Sequence, residues 1–168
     1  MKFMQKIVIF TLILGLISLV GCKPSAEKRP VGEVLAANVM LNNLDSLKDN
    51  GNGTLGGVQF IVKYNTNALT FVDCKTALGD SYEGSAFTID EAEQKPGEVM
   101  VMIMDNSLQG VPLSGQTAPL ELGRLNFNVT GEGDQSIELE LVTACDTAAD
   151  SSIEAGIKDA MKLEIISD

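Results

Sequence analysis

Three cysteines, 23 Asp and Glu residues and not one histidine set the chemistry open to this 168-residue chain. Cys22, Cys74 and Cys145 are its thiols. Without an imidazole there is no Ser/His or Cys/His nucleophile pair, no histidine general base and no His-containing zinc site. Glu138 and Glu140 stand two apart on one strand face, but a glycosidase pair must flank a substrate cleft, and a flat sheet supplies none. The stretch Asp45-Ser-Leu-Lys-Asp-Asn-Gly-Asn-Gly-Thr54 is rich in oxygen donors. It lacks the calcium-loop spacing that ends in a later Glu, and reads as a turn-rich loop. No catalytic residue, metal or cofactor is expected, and the chain is read as a binding protein and not an enzyme.

Charge narrows the partners. Twelve Lys and Arg against 23 acids give −11, which opposes any surface that must track a polyanion, so nucleic acid is not expected as a partner. The first residues distort that figure. Lys2 and Lys6 precede an apolar run, 7–21, that is shorter than the ~20 residues a spanning helix needs. Charge, length and the small residues before Cys22 read as an export signal. Leu19-Val20-Gly21-Cys22 resembles the lipobox of bacterial lipoproteins, in which the cysteine thiol takes a diacylglycerol and becomes the new N-terminus. The resemblance implies a protein exported and lipid-anchored at Cys22 to a cell membrane or outer membrane, facing the exterior or periplasm. Residues 1–21 are then the signal peptide. Residues 22–30, Cys-Lys-Pro-Ser-Ala-Glu-Lys-Arg-Pro, form a semi-extended tether. Residues 31–168 form the domain, with 7 basic and 22 acidic residues and a charge of −15.

Within that domain, alternating apolar runs separated by Gly, Asn, Asp and Pro predict eight strands: Glu33–Leu44, Gly56–Tyr64, Ala68–Cys74, Ser85–Asp90, Glu98–Asp105, Leu120–Thr130, Ser136–Thr143 and Ala160–Ile166. Only a brief helical turn is expected between Asp150 and Lys158, cut short by Gly156. The fold class is all-β, a sandwich of two antiparallel sheets. Alternation assigns faces: Val58, Phe60, Val62 and Tyr64 go inward and Gln59, Ile61 and Lys63 outward, as do Glu138 and Glu140 against Ile137, Leu139 and Leu141. Glu98–Asp105 is apolar on both sides. With Val99, Val101 and Ile103 in the core, Met100, Met102 and Met104 make an outer stripe. Either this stripe binds a partner through adaptable packing, or another segment covers it.

The run Gly56-Gly57-Val58-Gln59-Phe60-Ile61-Val62-Lys63-Tyr64-Asn65-Thr66-Asn67-Ala68-Leu69-Thr70-Phe71-Val72, followed by Gly97–Ser107, Gly110–Pro119 and Leu120–Val129, resembles the colinear strands of cohesin domains over about residues 31–168. The resemblance implies a nine-stranded jelly roll related to carbohydrate-binding sandwiches. It also implies a dockerin partner, a small calcium-loaded module through which polysaccharide-degrading enzymes are attached to scaffolds. In the family the partner lies on a sheet whose strands correspond to the runs near Phe87, Met102, Phe60 and Leu139. The expected contact residues are Gln59, Ile61, Lys63, Met100, Met102, Met104, Glu138 and Glu140, with Asp105 and Ser107 matching a family acid and serine. Tyr64-Asn65-Thr66 stands where the family has Tyr-Asp-Pro, and Gly57 and Gln59 stand where many cohesins carry Asn and Asp.

Two questions stay open at this level. A Cys74–Cys145 disulfide would close a loop of about 70 residues and contribute ~4 kcal/mol in a chain-entropy account; two separate thiols, favoured by the family's strand order, are the alternative. A carbohydrate-binding lipoprotein, or a structural surface lipoprotein, is the rival function. Glycan platforms stack sugars on planar aromatic rows. The mature chain offers only Phe60, Phe71, Phe87, Phe127, Tyr64 and Tyr82, with most of the Phe residues at core positions.

Overall fold

A computed structural model describes residues 28–44, 53–76, 78, 86–113, 116 and 118–166. The expected signal segment, Cys22, the loop 45–52 and Tyr82 lie outside the described residues. The strands, in chain order, are β1 Val34–Leu41, β2 Thr54–Leu55, β3 Gly57–Tyr64, β4 Leu69–Lys75, β5 Phe87–Lys95, β6 Glu98–Asp105, β7 Val111–Pro112, β8 Leu120–Val129, β9 Ile137–Cys145 and β10 Met161–Ile165. Two four-stranded sheets, β10-β1-β8-β4 and β5-β6-β3-β9, are antiparallel throughout, and a two-stranded pair, β2-β7, closes one end. The expected all-β sandwich is what the chain forms.

Period-two alternation builds the core. Val58, Phe60 and Val62 meet Val99, Val101 and Ile103 from one sheet, and Leu35, Val39, Leu125, Phe127 and Val129 come from the other, all at 4 % exposure or less. Phe127 sits between Tyr64 and Phe71, with ring centroids 5.4 and 5.5 Å away and edge-on packing of both neighbours. One long side of the sandwich is closed by a 3₁₀ turn, Ser151–Ile153, that leads into helix α1, Glu154–Ala160. Asp150 caps that turn by accepting from Ser152 N at 2.7 Å, and Ile153, Ile157 and Ala160 are buried.

Four features depart from expectation. Strand β5 continues five residues past Asp90, although Glu91-Ala92-Glu93-Gln94-Lys95 shows no apolar alternation. A two-residue Pro96-Gly97 turn with Gly97 at φ +82° folds it back onto β6, and pairing through the turn overrides the polar composition. Packing on the sandwich reaches back to Arg29. Gln135, 7 % exposed, accepts from Arg29 N at 2.8 Å and donates to Arg29 O at 2.7 Å, while Arg29 Nη2 donates to Ile166 O at 2.7 Å. There is no Cys74–Cys145 bridge: both thiols are free, Cys74 in β4 of one sheet and Cys145 at the end of β9 in the other. Burial, with help from Glu91 and Asp73, pushes the Cys74 thiol up to about 12.

The fourth departure is Asp105, expected at the partner surface. It is 3 % exposed at the end of β6. Its Oδ1 accepts from Ala86 N (2.9 Å), Ser107 N (2.9 Å) and Ser107 Oγ (2.7 Å), and its Oδ2 accepts from Gly110 N (2.5 Å). The carboxylate therefore gathers the start of β5 and the turn after β6. Burial alone would raise its pKa; the Ser107 hydroxyl and the backbone N–H groups of Ala86, Gly110 and Ser107 outweigh that and hold it well below the usual carboxylate range.

Phe127→Ala should cost about 3–5 kcal/mol in urea unfolding, because it empties the centre of the three-ring stack. Asp105→Asn tests the clamp through pH. A carboxyl lowered in the folded chain stabilises it fully above the unfolded value of about 3.9, and that stabilisation is lost as pH falls toward the folded value. Unfolding at neutral pH should show the variant less stable by about 2–3 kcal/mol. The gap should narrow steadily below about pH 4, since only the wild type has this contribution to lose.

Candidate partner-binding face

The sheet β5-β6-β3-β9 turns one face to the core and leaves the other uncovered by any described element. Antiparallel register places the outward residues in rows. Gln59 lies opposite Met102, Ile61 opposite Met100 and Lys63 opposite Glu98. On the far side of β3, Ile61 lies opposite Glu140 and Lys63 opposite Glu138, and on the far side of β6, Asp90 lies opposite Met102 and Thr88 opposite Met104. The eight residues expected from alternation on β3, β6 and β9 thus share one face. The strand order matches the runs near Phe87, Met102, Phe60 and Leu139.

The face is graded along the strands. At the end formed by the Pro96-Gly97 turn, Lys63 is surrounded by Glu98, Glu138 and Glu140 and bonds Glu140 Oε2 at 2.5 Å. That hydrogen bond raises the Lys63 pKa and lowers that of Glu140, with Glu98 and Glu138 adding to the effect on Lys63. Both side chains are solvated, so the pair orders the surface more than it stabilises the fold. In the middle, Gln59 Nε2 donates to Met100 Sδ. Met100, Met102 and Ile61 are half-buried, and Met104 is 41 % exposed. A flexible, polarizable stripe framed by polar groups has the composition of an interface core.

At the opposite end β9 carries a bulge. Phe60 pairs with Leu141 but Gln59 with Thr143, which leaves Val142 without a partner on β3 and 41 % exposed. Gly57 brings its backbone beside the half-buried Cys145, whose Sγ lies 3.5 Å from where a Cβ would stand. Gly56, just before, passes so close to Asp146 that a Cβ would meet its carbonyl oxygen at 2.6 Å. That approach fixes the end of β3 against the end of β9. Ser107 is half-buried and spends its hydroxyl on Asp105, and Asp105 is not on the face at all. The residues that sequence reasoning missed are Thr88, Asp90, Glu98, Thr143, Val142 and Leu108. Asp90 and Glu98 follow from register once β5 and β6 are paired, whereas the bulge and the turn leave no periodic signal.

Sugar chemistry finds less here. A cleft of about 310 Å³ opens between the edges of β4 and β5, lined by Tyr64, Thr70, Phe71, Glu91, Glu93 and Val99. Its two rings are turned edge-on against Phe127 and form no flat row for a pyranose to stack on. Among the described residues no group of three or more His, Cys, Asp and Glu is placed to hold a metal.

No family model and no curated protein matches the chain. Solved structures do. The solution structure of CaCohA2 from Clostridium acetobutylicum aligns over 83 % of this chain and 83 % of its own, at 16 % identity and a TM-score of 0.52. The sixth cohesin of scaffoldin B from Acetivibrio cellulolyticus, solved in complex with a Cel5 dockerin mutant, aligns over 75 % of this chain and 85 % of its own at 15 % identity and a TM-score of 0.52. The cohesin module of a family 33 glycoside hydrolase from Clostridium perfringens aligns over 82 % and 86 % at 15 % identity and a TM-score of 0.51. Identities this low speak to architecture, and with the two sheets and their strand order on the page they agree on one: the chain has the cohesin fold.

Proposed function

We propose that this chain is a non-catalytic, cohesin-type module that binds a dockerin-like protein through the outer face of β5-β6-β3-β9. The single observation behind the reading is the methionine stripe of β6, set in register between Gln59 and Ile61 on one side and Thr88 and Asp90 on the other, with no described element covering it. The fold likeness supports it, since two of the similar modules, the scaffoldin B cohesin and CaCohA2, were solved bound to dockerins. The absence of histidine agrees with a module that binds and performs no chemistry.

The reading includes the anchor. Cys22, lipidated after export, holds the domain on a membrane, where it attaches a partner enzyme or scaffold of polysaccharide degradation to the cell surface. Support comes from the Leu19-Val20-Gly21-Cys22 ending and from where Lys28 and Arg29 attach. Arg29 is fastened to Gln135 and Ile166, and Lys28 Nζ reaches Glu132 O at 3.2 Å, so the described chain begins at the end of the sandwich where β10 finishes and β8 connects to β9.

Titration calorimetry of the mature chain with calcium-loaded dockerin modules should show saturable one-to-one binding, abolished when EDTA strips the dockerin of calcium. Met102→Glu, which places a carboxylate beside Asp90 in the middle of the stripe, should weaken binding at least 10-fold while the melting temperature is unchanged. Wild-type protein that binds no dockerin contradicts the function, and an unaffected Met102→Glu moves the partner to another face. In cells, labelled fatty acid should be incorporated into the wild type and lost in Cys22→Ser, with the variant released to the soluble fraction.

A further inference from the structure

The turn after β6 holds an exposed leucine in a conformation that leucine avoids. Leu108 is 70 % exposed, more than any other large apolar residue described, and has φ +60°. A non-glycine residue with no side-chain hydrogen bond to offer occupies the left-handed region only where its surroundings enforce it, at a cost on the order of 1 kcal/mol. The enforcing group is the Asp105 carboxylate, which grips Ser107 on one side of Leu108 and Gly110 on the other. Asn106 N donates to Ala86 O at 3.0 Å, Gln109 N to Ser107 Oγ at 3.3 Å, and Asn106 Nδ2 to Thr88 Oγ1 at 3.0 Å. Thr88 is the register partner of Met104, so the turn is strapped to the outer face at the open end of the methionine stripe.

Two penalties coincide at one residue: exposed apolar surface and backbone strain. The strain comes with the Asp105 turn, but the exposed side chain does not serve the fold, because Leu108 is absent from the core cluster. Ordering before binding does serve affinity, since a side chain already held in place loses little entropy when it docks. We infer that Leu108 is the apolar anchor of the interface, presented by the Asp105 turn to a pocket on the dockerin-like partner. The partner's basic side chains then lie at the far end of the face, against Glu138 and Glu140. The charge balance agrees: the outer face carries Asp90, Glu98, Glu138 and Glu140 against Lys63 and Lys95, the latter bonded to Glu98 Oε1 at 3.0 Å, on a domain of charge −15. Leu108 extends the apolar end and the carboxylates mark the other. The inference rests on the reading of this face as a dockerin surface.

The strain makes a test in which stability and affinity move independently. Asn accepts the left-handed region far better than Leu does and is polar. Leu108→Asn should melt at the wild-type temperature or a few degrees above it, yet bind a calcium-loaded dockerin at least 10-fold more weakly. Leu108→Met, apolar but straight-chained, should stay within about threefold of wild-type affinity. Wild-type binding with Leu108→Asn unchanged in affinity overturns the anchor and leaves the proposed function standing. A wild type that binds no dockerin overturns both.

Discussion

The pairing of β3 with β6 is the constraint on which the rest of the molecule depends. Seven consecutive register pairs, from Gly57 with Met104 to Lys63 with Glu98, put Val58, Phe60 and Val62 on the same side as Val99, Val101 and Ile103. Those six side chains are 0–4 % exposed and carry the contribution of β3 and β6 to the core. Because side chains alternate with period two, burying this set sends Gln59, Ile61, Met100, Met102 and Met104 outward, and a slip of one residue would exchange the two sets. An outward methionine stripe is therefore tied to the core by register. The core cannot form correctly without displaying it.

The edges of the same sheets explain why the displayed apolar surface does not spread. Edge strands invite pairing with other chains unless charge or cover prevents it. On β5, Asp90, Glu91 and Glu93 line an exposed edge, and Glu91 reaches across to accept from Cys74 N of β4, the edge of the opposite sheet. On the other long side, Thr143 of β9 donates to Glu154 of α1 at 2.9 Å, and the helix covers the gap toward β1. Acid on the rims and a helix along one side confine adaptable association to the sheet face. The acidity of the chain, which at first only excluded polyanions, thus has a local role in keeping edges apart.

Much of this was legible in the residues. The limits of β6 coincide with the Glu98–Asp105 run, and the inward and outward sets of β3 follow from alternation alone, because each strand is half-buried and carries its own record of which side is wet. What escaped depended on long-range geometry. The second half of β5 is polar on both faces and is a strand only because the Pro96-Gly97 turn lays it against β6. A disulfide between Cys74 and Cys145 was compatible with export and loop length, but both thiols are free, one in β4 and the other at the end of β9, and residue types and spacing carry no record of where two strands end up in space. Asp105 was placed at the surface by its match to a family acid. The nearby Ser107 and Gly110 were the available hint that its carboxylate closes a turn instead, since short-range acceptance from residues two to five ahead is what Asp does at the end of a strand. Leu108 had no periodic neighbours to mark it.

The methionines themselves offer the most direct measurement of where the partner sits. Of the five that remain after residue 21, Met100, Met102 and Met104 lie on the outer face of one sheet, while Met40 in β1 and Met161 in β10 belong to the other. With methyl-labelled methionine in residues 22–168, addition of a calcium-loaded dockerin should shift or broaden the methyl resonances of Met100, Met102 and Met104 and leave those of Met40 and Met161 in place. Movement of Met40 with the β6 trio unchanged would contradict the account, because it would put the partner on the opposite sheet.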